Sequence, residues 1–319
     1  MMITRRLLAG TIALLALSVT ARAEYPDHPV TMIVPLAAGG GTDVAARIVA
    51  KYLETEINGP VVVLNKTGAA GEIGLTALAT ARPDGYTIGI VNTPGIISIP
   101  LERKTRFDIN SFQFLVATTY DPVTISVLDT SPIKSVPDLI AKAKKDPGGI
   151  TVGTQGAGSV GDIAIRFLEH AANIKLQPIP YTGSSSTRAS LLSGDINAVA
   201  ITLGEALAFS EGGRTWRVLA VMAPERNPLA PSIPTFKEFG YDLDHGSLRG
   251  FAGPKGMPEE VVRKLTEGLH KVVDNPEFVE RSLKTFQPVK FVNAEEYMKL
   301  LHDADQRLRA LWAVNPWNR

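Results

Sequence analysis

The side chains of this sequence that are best suited to chemistry lie in short loops rich in glycine and hydroxyl groups. Residues 156–161 read Gly-Ala-Gly-Ser-Val-Gly, which matches the G-x-G-x-x-G pattern of dinucleotide sites. The next predicted strand ends at residues 181–182, however, without the acid that would bind a ribose hydroxyl. Residues 157–161 also approach the nucleophile elbow G-x-S-x-G around Ser159, with Ala157 in place of the first glycine. The five histidines are scattered along the chain, so the sequence offers Ser159 no evident base.

A second loop, residues 37–43, reads Ala-Ala-Gly-Gly-Gly-Thr-Asp and joins a predicted strand to a predicted helix. Such a junction directs unpaired backbone N–H groups at one point, and glycines let a ligand approach them closely. The loop holds no nucleophile and no metal ligand besides Asp43. We expect it to bind an anionic or polar group. Asp43 is expected to cap the helix or lie in its first turn, or else to contact water or the ligand.

Strand and helix patterns alternate in a way that brings these loops together. Residues 30–91 predict a β-α-β-α-β unit with a parallel sheet, and a second strand-loop-helix unit begins further along the chain. Residues 114–117 and 124–127 predict two strands that leave the first unit. The helical patterns at 258–273 and 294–312 have no matching sheet and are expected to pack across one or both units.

Loops with glycine or hydroxyl residues follow five predicted strands. They are residues 37–42, 65–71, 92–95, 156–161 and 181–186. Ligands of open α/β sheets bind beyond the carboxyl ends of the strands. Two sheets that face each other through such loops form a cleft, and the helix N-termini near Thr42 and Ser159 give it partial positive charge. The pattern favours a small ligand with a carboxylate at each end.

The first 23 residues have the features of a secretory signal peptide. Arg5 and Arg6 precede a short apolar run, and residues 21–23, Ala-Arg-Ala, form a small-residue cleavage site. We expect cleavage after Ala23 and a periplasmic protein. The remaining chain has 30 basic and 32 acidic residues, which argues against nucleic-acid partners. Because there is no cysteine, disulfides, thiol catalysis and cysteine-ligated metals are excluded. As a separate expectation, the site needs neither a metal nor a cofactor.

Several longer motifs occur in a fixed order along the chain. They include Ile33-Val-Pro-Leu-Ala-Ala-Gly-Gly-Gly-Thr-Asp43, Val62-Val-Leu-Asn-Lys-Thr-Gly-Ala-Ala-Gly71, Pro83-Asp-Gly-Tyr86, Pro180-Tyr-Thr-Gly183 and Pro254-Lys-Gly-Met-Pro258. In this order and spacing they resemble the Bug-type periplasmic substrate-binding proteins of tripartite tricarboxylate transporters. The resemblance implies an α/β fold of the periplasmic-binding-protein type (type II). That fold is a two-domain clamp in which each domain is a sheet flanked by helices and the ligand lies in the cleft. Residues 24–122 plus 248–319 would form domain 1, and residues 123–247 would form domain 2.

The resemblance also implies which residues of this sequence contact the ligand. They are Ala37, Ala38, Gly39, Gly40, Gly41, Thr42, Asn65, Thr93, Gly156, Ala157, Gly158, Ser159, Tyr181, Thr182 and Gly183. Asp43, Asp162 and Arg249 complete the predicted set. Family members often carry His where this chain has Asp162, and Trp near Leu248. Asp162 is expected to be either a plain first-turn acid or a group that shifts ligand preference towards amino, amide or neutral groups. The alternative for Arg249 is to act as a carboxylate clamp.

The function implied by the resemblance is that of a receptor, not an enzyme. A monomer would bind a small organic acid or amino acid and deliver it to integral membrane permease subunits. The ligand classes of the family are dicarboxylates, tricarboxylates, aromatic acids and amino acids. Two alternatives stay open at this point: a secreted hydrolase that uses Ser159 or Asp162 on the same scaffold, and a sensor subunit that presents its ligand to a receptor kinase.

Overall fold

The computed structural model describes residues 24–210, 216–314 and 316. The predicted signal peptide, residues 1–23, lies outside the described residues. Within the described chain, the strands are β1 (Val30–Val34), β2 (Val61–Asn65), β3 (Thr87–Asn92), β4 (Phe112–Leu128), β5 (Thr151–Thr154), β6 (Gln177–Pro180), β7 (Ala198–Thr202), β8 (Trp216–Val221), β9 (Gly246–Pro254) and β10 (Val289–Val292). The helices are α1 (Gly41–Ile57), α2 (Glu72–Ala79), α3 (Gly95–Glu102), α4 (Val136–Lys145), α5 (Val160–Ala172), α6 (Ser184–Ser193), α7 (Leu203–Ser210), α8 (Glu259–Asp274), α9 (Pro276–Lys284) and α10 (Ala294–Val314).

One part of the sheet, named lobe 1, is built around β1, which pairs in parallel with β2 and β3. β9 runs antiparallel between β3 and residues 112–122 of β4, and β10 pairs with the same part of β4. Because side chains alternate along a strand, Val30 and Met32 join the core under α1, α8 and α9, whereas Ile33 joins the core under α2, α3 and α10. Lobe 1 is therefore a mixed sheet with helices on both faces.

The other part of the sheet, named lobe 2, is built around β5, which pairs in parallel with β6 and β7. β7 and β8 pair antiparallel with residues 123–128 of β4. The amphipathic helices α4 and α5 supply its core, for example through Leu139 and Leu168, which are fully buried. Lobe 2 thus has its own apolar centre.

β4 is a 17-residue strand that runs through both lobes. Its antiparallel partner is β9 as far as the pair Pro122–Gly246, beyond which its partners become β7 and β8. β4 and the start of β9 therefore form an antiparallel pair at the junction of the lobes. None of the helices described is long and apolar enough to cross a membrane.

The prediction of two separate strands at 114–117 and 124–127 is wrong. The polar run between them, which includes Thr119 and Asp121, has the composition of a loop, but these side chains are buried and the backbone pairs with β9. The tail also differs from the prediction, because β10 gives it a strand in the sheet and α9 adds a helix. Pairing across distant parts of the chain, which sequence periodicity does not report, accounts for both differences.

Candidate ligand-binding site

A cavity of about 280 Å³ lies between the lobes, just below the roughly 300–1,000 Å³ usual for small-molecule sites. Beside it, Ser98 Oγ of lobe 1 donates a hydrogen bond of 2.6 Å to the carbonyl of Gly158 in lobe 2. The predicted residues that line the cavity are Ala37, Ala38, Gly40, Gly41, Thr42, Thr93, Gly158, Ser159, Thr182, Gly183 and Arg249. The predicted residues outside the lining are Gly39, Asp43, Asn65, Gly156, Ala157, Asp162 and Tyr181.

The N-terminal ends of five helices converge on this cavity. The capping residues of α1, α2, α3, α5 and α6 all line it, and they are Gly40, Gly71, Pro94, Ser159 and Gly183. Of these five capping residues, only Ser159 provides a side-chain cap. At α1 the first amide, Gly41 N, instead donates to Glu205 Oε1 at 3.2 Å, so the ends of α2, α3 and α6 are the three without a side-chain partner. Each end carries partial positive charge. The cavity is therefore suited to an anion.

Asp43 and Asn65 fix the loop after β1 from behind. Asp43 Oδ2 accepts hydrogen bonds from Gly39 N at 2.9 Å and Arg47 Nε at 3.0 Å, and Asn65 Nδ2 donates to Asp43 Oδ1 at 2.9 Å. Burial acts to raise the pKa of Asp43, but the hydrogen bonds from Arg47, Gly39 and Asn65 outweigh it and hold that pKa below its usual value. Asn65 also donates to the carbonyl of Leu36 at 3.1 Å. Both residues thus position the loop whose amides line the cavity.

Asp162 positions the loop after β5, as Asp43 positions the loop after β1. Its Oδ2 accepts from Gly158 N at 3.1 Å, its own N–H donates to Ser159 Oγ at 3.3 Å, and its Oδ1 accepts from Arg166 at 3.3 Å. Asp162 is buried and burial raises its pKa, while Arg166 acts in the opposite direction. Of the two roles expected for it, its position is that of the first-turn acid.

The third loop, which follows β6, reaches the cavity through its backbone and its hydroxyls. Thr182 and Gly183 line the cavity together with residues 184–186, three serines at the start of α6. Tyr181 instead packs its ring against the small apolar cluster around Leu191 in lobe 2. The serines belong to the loop at residues 181–186 that the sequence predicts to face the cleft, although none of them is in the predicted set of contact residues.

Arg249, on β9, lies at the floor of the cavity and is almost fully buried. Its Nη1 donates to Asp121 Oδ2 at 3.2 Å and to Gln287 Oε1 at 3.1 Å, and its Nη2 donates to Thr202 Oγ1 at 3.5 Å. Burial raises the pKa of Asp121, while Arg249 and the N–H of Gly204 oppose that shift. The positive charge of Arg249 is therefore matched by a carboxylate of the protein itself.

Glu205, in the first turn of α7, was not predicted and lines the cavity. Its Oε1 accepts from Gly41 N at 3.2 Å and Ser184 Oγ at 2.6 Å. Its Oε2 accepts from Gln155 Nε2 at 3.2 Å and Thr202 Oγ1 at 3.3 Å. The rule that sites lie after the carboxyl ends of strands also applies to β7, so this position was open to prediction from the sequence.

Asn92, at the end of β3, also lines the cavity; it lies in the predicted loop at residues 92–95 but not in the predicted set of contact residues. Its Nδ2 donates to Thr42 Oγ1 at 2.7 Å and to Ser247 Oγ at 3.3 Å, and its buried Oδ1 has no hydrogen-bond partner. The Oγ1 of the neighbouring Thr93 is likewise buried without a partner. These unpaired polar atoms add hydrogen-bonding capacity to the lobe 1 side of the site.

The hydroxyl of Ser159, which the sequence offers as a nucleophile, is engaged in a helix cap. Ser159 Oγ accepts the hydrogen bond that caps α5, and within the described residues no hydrogen bond joins it to a base. His245 Nε2 lies 3.1 Å from the carbonyl of Val160 and donates to it. Across the described ranges, no group of three or more histidine or acidic side chains is placed to hold a metal ion.

Comparison with known proteins gives consistent relatives. A family model described as the tripartite tricarboxylate transporter family receptor matches residues 45–314. A Cupriavidus necator protein, described as a UPF0065 protein in the gbd 5' region, is 28% identical over 304 residues, which cover 95% of this chain and 92% of that protein. Protein BugT of Bordetella pertussis is 29% identical over 260 residues, 80% of this chain and 79% of BugT.

Solved structures agree with this grouping. The periplasmic binding protein BugD is 30% identical and superposes with a TM-score of 0.83 over 91% of this chain and 98% of its own. A protein of R. palustris solved with adipate is 25% identical, with a TM-score of 0.84 over 91% of this chain and 97% of its own. The predicted α/β periplasmic-binding-protein fold is confirmed. The chain belongs to the receptors of the tripartite tricarboxylate transporter family, as the Bug-type resemblance of its sequence predicts.

Proposed function

We propose that this chain is an extracytoplasmic receptor that binds a small carboxylate in the cavity between its lobes and delivers it to membrane permease subunits. The observation that carries the proposal is the convergence of five helix N-termini on one cavity, three of them (α2, α3 and α6) without a side-chain partner. Unpaired N–H groups at helix N-termini bind carboxylates without any charged side chain. The adipate bound by the R. palustris relative is a ligand of this class.

The two lobes are proposed to act as the domains of a clamp. The boundaries are those expected from the sequence, with residues 24–122 plus 248–319 in domain 1 and residues 123–247 in domain 2. The partner exchange of β4 at Pro122 supports this division, since the strand leaves one set of neighbours there and enters another. A ligand that contacts helix N-termini from both lobes would favour the closed arrangement, in which the two lobes are close together.

The proposed location of the mature chain is the periplasm, after cleavage behind Ala23. The signal-peptide features of residues 1–23 and the receptor family support it. We also propose that the chain does not catalyse a reaction, because the hydroxyl of Ser159 and the carboxylate of Asp162 are both engaged in holding α5 and its preceding loop. Permease subunits as partners follow from the family.

Thermal unfolding with a panel of ligands tests the binding function. The mature chain is unfolded and refolded to remove any bound molecule, then heated with dicarboxylates, tricarboxylates, aromatic acids and amino acids. A ligand present at a hundred times its dissociation constant stabilises the folded state by about 2.7 kcal/mol, which is readily seen. Incubation of the stabilising ligand with the protein, followed by mass spectrometry, should return it unchanged.

Gly40→Val is the matched test of the site. A Cβ at Gly40 makes only an ordinary contact of 3.5 Å with the carbonyl of Ala37, so the fold tolerates the substitution while the side chain takes space beside the α1 amides. We expect ligand-induced stabilisation to disappear. Ala141→Val, on the exposed face of α4, should retain it. The proposal fails if no carboxylate stabilises the protein, and the site assignment fails if Gly40→Val binds as the unmodified chain does.

A further inference from the structure

The floor of the cavity has an unbalanced charge. Of the residues lining the cavity as described, Arg249 is the only base and Glu205 the only acid. Arg249 is already paired with Asp121, which is fully buried. Thr202 links Arg249 to Glu205, since its Oγ1 accepts a hydrogen bond from Arg249 and donates one to Glu205. The positive charge of Arg249 is therefore outnumbered by two carboxylates, those of Asp121 and Glu205. Since Asp121 is paired with Arg249, the unbalanced negative charge lies on Glu205.

The Glu205 carboxylate is held in place by four donors. Three are side chains, those of Gln155, Thr202 and Ser184, and the fourth is the amide of Gly41. A carboxylate has about four lone-pair positions for such donors, so this side chain is oriented before any ligand arrives. It enters the cavity from lobe 2 and caps the first N–H of helix α1 in lobe 1.

The contact between Glu205 and Gly41 N makes the α1 side of the cavity different from the α6 side for an anionic ligand group. The α1 end, which the sequence marks as an anion site, already contacts a carboxylate of the protein through Gly41. The uncapped α6 end, with Gly183 and the serines at residues 184–186, stays available to a ligand carboxylate. A second ligand carboxylate placed at the α1 end would lie beside Glu205, where like charges repel in a partly desolvated site.

We propose that Glu205 is a specificity-determining residue that selects carboxylates carrying an ammonium or amide group over dicarboxylates. The ligand carboxylate lies at the uncapped helix ends, and the ligand nitrogen donates to Glu205 in place of one of its four present donors, such as the Ser184 hydroxyl. This inference rests on the proposed function and narrows its ligand class. A hydrogen bond to a charged group contributes roughly 1.5–3 kcal/mol, which corresponds to about ten- to a hundredfold in affinity.

Two sets of probes with matched backbones test the selectivity. The first is succinate, succinamate and 4-aminobutanoate, and the second is adipate, adipamate and 6-aminohexanoate. Within a set only the second end group changes, from carboxylate to amide to ammonium. Dissociation constants measured by calorimetry on the refolded mature chain should favour the nitrogen-bearing probes over the dicarboxylate by about tenfold or more.

Glu205→Gln should reverse the order, because the new amide donates to a carboxylate and no longer accepts from an ammonium as a charged partner. The matched control is Glu225→Gln, which removes the same charge from an exposed position of lobe 2 and should keep the original order. Should Glu205→Gln fail to fold, Glu205→Asp keeps the charge and must keep the order. A lost preference in Glu205→Asp would count against the proposal.

The outcomes separate the two proposals. If dicarboxylates bind more tightly than the nitrogen-bearing probes, or if Glu205→Gln changes all affinities by the same factor, the selectivity proposal is overturned and the receptor function stands. If neither these probes nor the wider ligand panel bind, the receptor function itself fails. The role of Glu205 is supported if the order of affinities reverses in Glu205→Gln and does not reverse in Glu225→Gln.

Discussion

The buried pair Asp121–Arg249 gives the most direct test of how this fold is held together at the junction of the lobes. Asp121→Asn keeps the shape of the side chain but removes its charge. The Nη1–Oδ2 contact of 3.2 Å joins groups whose side chains are 0% and 2% exposed. Removing one partner of a buried ion pair leaves an uncompensated charge and typically costs about 3–5 kcal/mol.

We expect the lower end of that range. Arg249 keeps Gln287 Oε1 at 3.1 Å and Thr202 Oγ1 at 3.5 Å as acceptors, so the guanidinium is not left without partners. The Oδ1 of the new asparagine can still accept from Gly204 N, as Asp121 does at 3.0 Å. Its Nδ2 then takes the place of Oδ2 and faces Arg249 Nη1, so that two donors meet. The expected loss of about 3 kcal/mol therefore combines the missing charge with this contact between two donors.

Urea denaturation followed by tryptophan fluorescence measures the loss, because Trp216 is buried in lobe 2 and reports its unfolding. With a denaturant slope on the order of 3 kcal/mol/M for a chain of this size, the midpoint should fall by about 1 M. Adding Arg249→Gln to Asp121→Asn should cost at least about 1 kcal/mol less than the two single changes summed. Additive effects, or a midpoint shift below about 0.3 M, would refute the argument that this pair holds the junction.

Two further predictions concern the second lobe. Gly158 has φ +67°, and a Cβ there would collide with the carboxylate of Glu102 in lobe 1. Gly158→Ala should therefore lose about 1–2 kcal/mol of stability in urea titrations, because of backbone strain, and should also bind its ligand more weakly. Unchanged affinity would show that the lobes need not approach each other at this position. Burial lowers the pKa of His245 to about 4, so the unfolded chain gains a proton near pH 6.5 that the folded chain does not. Stability should then decline as pH falls from 6.5 to 4, by at most about 1.4 kcal/mol per pH unit, and His245→Gln should flatten that part of the profile.

Local patterns predicted the elements that position the site. The spacing of apolar residues and the glycine-rich junctions after β1, β5 and β6 indicated strand, loop and helix in the right order, because each of these features depends on neighbours in the chain. The loops at residues 37–42 and 156–159 do meet at one cavity, at least through Gly40 and Gly158. Backbone amides at helix ends can be anticipated from sequence since they need only the junction itself.

Contacts between distant segments were beyond the reach of such patterns. Glu205 is one acid in a short helix, and its role depends on Gly41, which lies 164 positions away. Arg249 is predictable as a charged residue near the cleft, but its neutralisation by Asp121 spans 128 positions. The polar run that includes Asp121 has the composition of a turn, and only the burial of β4 between two lobes turns it into strand. Without knowledge of pairing, the charge of the site is therefore not readable from the sequence.

The position of β9 has a consequence for the order in which the chain folds. β9 lies between β3 and β4 in the sheet, yet it follows every strand of lobe 2 along the chain. The strands of lobe 2 fall within one continuous stretch, from the second part of β4 to Val221, and can pair as soon as that stretch is available. The sheet of lobe 1 stays divided until residue 254 has been added. Since contacts of long sequence separation form slowly, lobe 2 should fold first and lobe 1 should be completed by the last segments of the chain to emerge.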